Sequence, residues 1–340
     1  MISKTAANIA VLGGGTWGVA LARMLSGTGH KVTVWSNNPE HVEQLDRTRT
    51  HFNLPGSVIP EGVLFEKNIA AACIGRDMLV MAVPSPFVRE TAARIRDFVT
   101  ADQIIVDAAK GLEPLTYYTM TEVIRDELEK RSSLKGIRIA ALSGPSHAEE
   151  VVKDLPTCLV SACEDPDTAD LVRDTFISPF MRVYSSTDVR GVELCAALKN
   201  IVAIAAGISA GLGFGDNAKA AIITRGTAEI AKLGKADGCN EMTFFGLAGI
   251  GDIIVTATSM HSRNCRCGLY IGQGMTPKEA VEKVGMVVEG VNAIPAAMQL
   301  ARKYRTETHI IAAVNAIVNL GIDPRVMAQR LLNLSARPEF

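Results

Sequence analysis

A glycine-rich turn, Gly13-Gly14-Gly15-Thr16-Trp17-Gly18, directly follows the apolar run Ile9–Leu12 and opens into the helix-like stretch Val19-Ala20-Leu21-Ala22. Gly13, Gly15 and Gly18 fit the spacing G-x-G-x-x-G. Between a strand and a helix, the first glycine permits a tight turn and the second lets the backbone approach a pyrophosphate. The third allows close packing of helix on strand, and the helix N-terminus favours the anion. Gly29-His30 and a second β-branched run, Lys31–Trp35, follow at βαβ spacing. The arrangement predicts a dinucleotide site at the start of the chain. Thr16 and Trp17 lie within the motif and are candidates for the same site, although Trp17 reads equally well as a packed aromatic.

The alternation of short aliphatic runs with longer polar-apolar stretches continues to about Tyr184. Strands are expected at Ile9–Leu12, Lys31–Trp35, Met78–Ala82, Gln103–Asp107, Arg138–Leu142, Thr157–Ser161 and Arg182–Tyr184. Helices are expected at Gly18–Gly27, Pro39–Asp46, Pro86–Phe98, Tyr117–Arg131 and Asp167–Ile177. This is an α/β Rossmann domain with a mainly parallel sheet. After Thr187, strand-like runs nearly vanish and helical periodicity takes over, with long helices at Val192–Gly207 and Ala218–Leu233. An all-α C-terminal domain is expected there. A chain of 340 residues exceeds one ordinary core, and the division falls at 1–188, dinucleotide-binding, and 189–340, helical and substrate-binding or catalytic.

Composition excludes several classes of function. Thirty-five basic against thirty-six acidic side chains, with no long run of either sign, make no field for nucleic acid or a membrane surface. Seven scattered cysteines read as reduced thiols, and the pair Cys265 and Cys267 has the wrong spacing for a metal site on a helix, so no metal is expected. Met1 to Asn8 lacks the apolar core of a secretion signal, and Ile201–Leu212 is too short and too interrupted to span a bilayer. The expectation is a cytoplasmic enzyme.

At the end of the second strand an acidic residue would hold the ribose of NAD and a basic one would accommodate the phosphate of NADP. Ser36, Asn37 and Asn38 stand there, so the sequence selects neither cofactor, though the missing carboxylate removes one repulsion against NADP. Met81-Ala82-Val83-Pro84-Ser85 follows another strand, either close to the cofactor or as an ordinary strand-to-helix turn.

Hydride transfer at a secondary alcohol needs a base for the hydroxyl proton. Lys110 follows the strand ending at Asp107, at the sheet edge where ligands gather. Lys199, before Asn200, sits in a very apolar helix, where it either lines a cleft or snorkels outward. Ser143 to Glu150 supplies hydroxyls and backbone N–H groups, and reads compatibly as a proline-nucleated helix start with a serine cap. Ala248-Gly249-Ile250-Gly251-Asp252, then Thr256, then Ser262-Arg263-Asn264 forms a further cluster; the last three suit a substrate phosphate, or a solvated helix cap.

Taken in order, these blocks resemble the NAD(P)-dependent glycerol-3-phosphate dehydrogenases, chiefly the bacterial form. The matching segments are GGGTWGVALA at 13–22, VPS at 83–85, KGLE at 110–113, SGPSHAEEV at 143–151, the stretch 193–226, the stretch 246–268 and VVEG at 287–290. The resemblance implies interconversion of sn-glycerol 3-phosphate and dihydroxyacetone phosphate with NAD or NADP, for phospholipid synthesis, by a homodimer. It makes Lys199 the general acid/base. Lys110, Gly144, Ser146, Asp252, Ser262, Arg263 and Asn264 would hold substrate. Asn37, Lys110, Ala148, Arg263, Val287 and Glu289 would join the glycine turn around the cofactor. Cationic neighbours would ease proton exchange at Lys199, and Asp252 could orient it. The sequence departs from the family pattern at Asn37, where many bacterial members carry arginine or histidine, at Asn53 in place of a frequent aromatic and at His147 in place of a common phenylalanine.

Two other readings fit parts of the pattern: a two-domain dehydrogenase of hydroxy acids or hydroxyacyl thioesters, and a non-catalytic NAD(H) sensor. Ser262-Arg263-Asn264 argues against the first. Lys110, Lys199 and Asp252 would go unexplained in the second.

Overall fold

The computed structural model describes residues 6–335; the segment Met1–Thr5, part of the stretch read as lacking a secretion signal, lies outside them. Contacts divide the chain into two units. The first comprises the chain to Glu113 with Tyr118–Glu193, and the second Pro114–Tyr117 with Leu194 onward.

The first unit is built on an eight-stranded sheet in the order β3-β2-β1-β4-β5-β6-β7-β8. Its strands are β1 (Asn8–Leu12), β2 (Lys31–Trp35), β3 (Val63–Glu66), β4 (Met78–Met81), β5 (Ile104–Asp107), β6 (Arg138–Ser143), β7 (Thr157–Ala162) and β8 (Met181–Ser186). All neighbouring strands pair parallel except β6 with β7. The first six follow the strand order of a dinucleotide-binding fold. Because side chains alternate along a strand, Ile9 and Val11 of β1 enter one apolar layer and Ala10 and Leu12 the other. The first layer is completed by α1 (Thr16–Gly27), α6 (Ala148–Val151) and α7 (Pro166–Phe176). The second is completed by α4 (Val88–Ile95) and α5 (Met120–Leu128). Each buried Val, Leu or Ile in these layers contributes about 1.5–3 kcal/mol, so the sheet is stabilised from both faces.

Two further helices, α2 (Pro39–Thr48) and α3 (Ile69–Cys73), flank β3 in the chain. Neither β3 nor α3 is foreseen by sequence pattern. The strand is a four-residue edge element with Leu64 exposed, and it owes its order to the β2 ladder, Val32 opposite Val63 through Trp35 opposite Glu66. The helix expected from Tyr117 starts at Met120, where Thr119 and Glu122 form a capping box. The segment after β6 does not begin a helix at Pro145. α6 starts at Ala148, with His147 rather than a serine at its cap.

The second unit is helical. α8 (Val189–Gly211) enters it; its most apolar window is 83% buried, as befits a core helix. It is followed by α9 (Asp216–Ala236), α10 (Asp252–Thr258), α11 (Arg263–Gly272), α12 (Pro277–Val284), α13 (Glu289–Lys303), α14 (His309–Leu320) and α15 (Pro324–Leu332). α8 and α11 pack backbone to backbone through four glycines. A Cβ on Gly207 would lie 2.1 Å from the Cys265 carbonyl oxygen, one on Gly268 2.1 Å from that of Ile204, and ones on Gly211 and Gly272 2.3 Å from those of Leu269 and Ile208. No larger residue fits that seam.

Candidate functional site

In the first unit the glycine turn closes as its spacing requires. Gly13 has φ +135, and a Cβ there would come within 2.5 Å of the Ala82 carbonyl oxygen; one on Gly18 would lie 1.9 Å from the Gly13 oxygen. Gly15 is different. It caps α1 with φ −72, a conformation open to any residue, and a Cβ there would meet nothing within 4 Å. Its missing side chain therefore leaves bare backbone at the N-terminus of α1, where there is no side-chain cap and no acidic residue in the first turn. That cradle fits a pyrophosphate. Thr16 and Trp17 are half-buried in the first turn, and Trp17 packs on the core beneath.

Asn37 is exposed just past β2, and its side-chain oxygen accepts from Arg94 Nη1 at 2.5 Å. Lys110 and Ser146 converge on one acceptor, the Gly144 carbonyl oxygen, with Nζ and Oγ each 3.0 Å away. Gly144 has φ +135, and a Cβ there would press on β7 at 3.0 Å from the Cys158 oxygen, so the turn after β6 needs glycine. Ala148 is buried at the start of α6, in the same apolar layer as α1. A bidentate pair from Arg23 to Asp154, at 2.6 and 3.0 Å, ties α1 to the residues after α6.

Sequence pattern does not reveal the two buried carboxyls near β5. Asp107 accepts from the Ala109 N–H at 3.2 Å, while its other oxygen has no partner. Burial first, and the nearby Glu193 second, push its pKa well above the usual carboxylate range. Glu193 accepts from the Thr121 N–H at 2.9 Å and from the Thr121 hydroxyl; burial raises it to about 7 against those hydrogen bonds. Only their spacing in three dimensions identifies them.

In the second unit, Lys199 does not snorkel. It is 5% exposed, and its ammonium donates to Asp252 Oδ1 and, at 2.7 Å, to Thr256 Oγ. Asp252 is the first residue of α10 and 1% exposed. A single π-type turn at Leu247–Gly251 delivers it, tightened by Gly249, where a Cβ would lie 2.2 Å from the Phe244 oxygen. Such turns recur at functional positions. The Lys199 ammonium thus lies against a carboxylate and a hydroxyl rather than a cation.

Ser262 is the N-cap of α11, accepting from the Cys265 N–H at 3.1 Å, and Arg263 is half-buried at the first helical position. Asn264 is buried and makes a junction of three helices. Its amide donates to Asn200 Oδ1 at 2.9 Å and its oxygen accepts from the Gly290 N–H at 2.8 Å. Thus the residues next to Lys199 on α8 and next to Glu289 on α13 are fixed to the Arg263 turn. Glu289 is buried at the start of α13, and Val287 is half-buried just before it. Cys265 and Cys267 are both buried, and no cluster of metal-ligating side chains occurs among the described residues.

Two family profiles match consecutive parts of the chain. The NAD-dependent glycerol-3-phosphate dehydrogenase N-terminus covers residues 8–169 and the corresponding C-terminus 188–329. A glycerol-3-phosphate dehydrogenase (NAD(P)+) from Lactobacillus delbrueckii subsp. bulgaricus is 56% identical over 98% of this chain and 99% of its own length. The chain belongs to the NAD-dependent glycerol-3-phosphate dehydrogenase family. A Fusobacterium nucleatum family member of the same name is 45% identical over 91% of this chain and 92% of its own. The crystal structure of glycerol-3-phosphate dehydrogenase from Coxiella burnetii superposes with a TM-score of 0.90 at 35% identity, covering 96% of this chain and 99% of that one. The family fold, a mostly parallel α/β sheet followed by helices, is the one seen here.

Proposed function

We propose that this chain interconverts sn-glycerol 3-phosphate and dihydroxyacetone phosphate with NAD(P), as a cytoplasmic homodimer supplying glycerol phosphate for phospholipid synthesis. The observation that carries the chemistry is the buried Lys199–Asp252–Thr256 cluster. Residues 1–188 form the dinucleotide-binding domain and 189–340 the helical domain.

When bound, the nicotinamide supplies or accepts the hydride at the substrate's central carbon. The chain's own residues handle the proton and the phosphate. In reduction, the Lys199 ammonium gives a proton to the carbonyl oxygen as it becomes a hydroxyl; in oxidation the neutral amine takes that proton back. Asp252 and Thr256 hold Nζ in place, so the proton is presented from a fixed point. Ser262, Arg263 and Asn264 on the helical unit bind the phosphate, where the arginine adds charge-assisted hydrogen bonds at the start of α11. On the Rossmann unit, Lys110, Gly144 and Ser146 contact substrate. Gly13, Gly15, Thr16, Trp17, Gly18, Asn37, Lys110 and Ala148 line the dinucleotide, with Arg263, Val287 and Glu289 assigned to it on the helical unit. The bare backbone at Gly15 supports the first of these assignments.

The test is loss of reduced-nicotinamide absorbance on adding dihydroxyacetone phosphate. Consumption that requires this substrate is expected. Binding of reduced nicotinamide without consumption would overturn the proposal in favour of a sensor.

A further inference from the structure

The end of β2 is the place where a Rossmann site distinguishes NAD from NADP, and in this chain it is Trp35-Ser36-Asn37-Asn38, with neither acid nor base. It adjoins the glycine turn directly: the Gly13 N–H donates to the Trp35 oxygen at 2.8 Å, and a Cβ on Gly14 would lie 3.1 Å from Ser36 Cβ. Asn38 is committed elsewhere, since its Oδ1 accepts from the Glu40 and His41 N–H groups at 2.9 and 3.2 Å and caps α2. The cation missing from the strand end arrives from another element. Arg94, on α4, lies with its guanidinium carbon 5.1 Å from the centre of the Trp35 ring and donates Nη1 to Asn37 Oδ1 at 2.5 Å.

Those two contacts fix the guanidinium without neutralising it. Trp35 is buried and anchored by Nε1 to the Lys67 oxygen at 3.1 Å, so the platform is rigid. Arg94 is exposed, and among the described residues no carboxylate pairs with it; Glu43 on α2 is already held by Lys67 at 2.5 Å. A guanidinium has five N–H donors, and Asn37 uses one. The other four can serve a phosphate dianion, for which a guanidinium held by a ring and an amide is a planar, pre-positioned partner.

We propose that Arg94 is the specificity-determining residue that receives the 2′-phosphate of NADP, so that this chain prefers NADPH to NADH. Asn37 is a positioning residue that orients it. The inference rests on the dinucleotide reading of the glycine turn.

The experiment is calorimetric binding, without turnover, of NADPH, NADH, 2′,5′-ADP and 5′-AMP to the full chain and to Arg94→Ala and Arg94→Lys. The native chain is expected to bind the 2′-phosphorylated member of each pair at least about tenfold more tightly, by an advantage that shrinks with added salt. Arg94→Ala should lose roughly tenfold or more of NADPH affinity while NADH changes less than about threefold, and Arg94→Lys should recover part of the loss. Equal weakening of both dinucleotides would overturn the proposal and leave Arg94 as packing for Trp35. So would equal affinity of the native chain for NADPH and NADH, which needs no variant at all. Failure of the native chain to bind either dinucleotide would instead bring down the dinucleotide reading itself.

Discussion

Lys199 on α8 and Asp252 at the head of α10 form a buried ion pair although 53 positions separate them in the chain. Removing two such charges from water costs several kcal/mol per ion, recovered only when geometry and further hydrogen bonds are good; the Thr256 hydroxyl supplies one of them. Lys199→Ala is therefore expected to act in two ways. Turnover should fall by about 10²-fold or more, as for a lost general acid, with NADH affinity nearly unchanged. Stability should fall by about 3–5 kcal/mol because the buried Asp252 carboxylate loses the cation that offsets its charge. The double variant Lys199→Met with Asp252→Asn should melt closer to the native chain yet remain inactive, and thermal melts beside initial rates would check both. Retained turnover in Lys199→Ala would remove the lysine from the chemistry.

The two outer glycines of the nucleotide turn and the middle one should behave oppositely. Gly18→Ala forces a Cβ into the Gly13 carbonyl and should cost about 1–3 kcal/mol or more. Gly15→Ala meets no atom and no forbidden φ, so its melting temperature should stay within a degree or two while dinucleotide affinity drops about tenfold or more. Melting curves and a fluorescence titration of NADH separate the cases. An undiminished affinity in Gly15→Ala would mean that the cradle holds no pyrophosphate.

Arg263 and Asn264 are adjacent but should fail differently. Arg263→Ala is expected to raise the KM for dihydroxyacetone phosphate about tenfold or more, with a small change in melting temperature, since it removes the proposed phosphate contact from a half-buried position. Asn264→Ala breaks hydrogen bonds to both Asn200 and Gly290 and should destabilise the chain by about 1–3 kcal/mol. If Arg263→Ala leaves KM unchanged, the phosphate assignment fails.

Glu193 gives a pH signature. Its folded-state pKa of about 7 lies above the ordinary 4.5, so the folded chain holds this proton where the unfolded chain has lost it. The associated stability is complete below about pH 4.5, declines as pH rises, and is gone above about pH 7, amounting to about 3 kcal/mol over that window. Asp107, also raised, acts with the same sign. Urea unfolding at several pH values should show Glu193→Gln losing less stability than the native chain between pH 5 and pH 8. Parallel profiles for the two would show that Glu193 titrates normally.

Much of this architecture was readable because local pattern and global fold agree. β1, the glycine turn and β2 are specified by period and spacing within a short stretch, and the sheet has no freedom to overrule them. Lys199 stood out as a charge in an apolar helix, with a cleft and the surface both open to it; Asp252 as its partner came only through the family resemblance, because nothing local connects α8 to α10. β3 escaped detection because four residues at a sheet edge carry too little periodicity, and order there is imposed by β2. Arg94 escaped for a different reason. On α4 it reads as one polar position of an amphipathic helix, and only the fold carries that helix to the end of β2.

The glycine seam between α8 and α11 has a consequence for the reaction. With backbone against backbone at four positions, neither helix can slide or roll on the other without collision. The helix carrying Lys199 and the helix headed by Arg263 are thereby locked as the two jaws of a caliper. On the proposed roles of Lys199 and Arg263, a ligand offering one atom to the amine and a phosphate to the guanidinium would be measured by that fixed gap, and selection for substrate length would reside in helix packing rather than in either side chain.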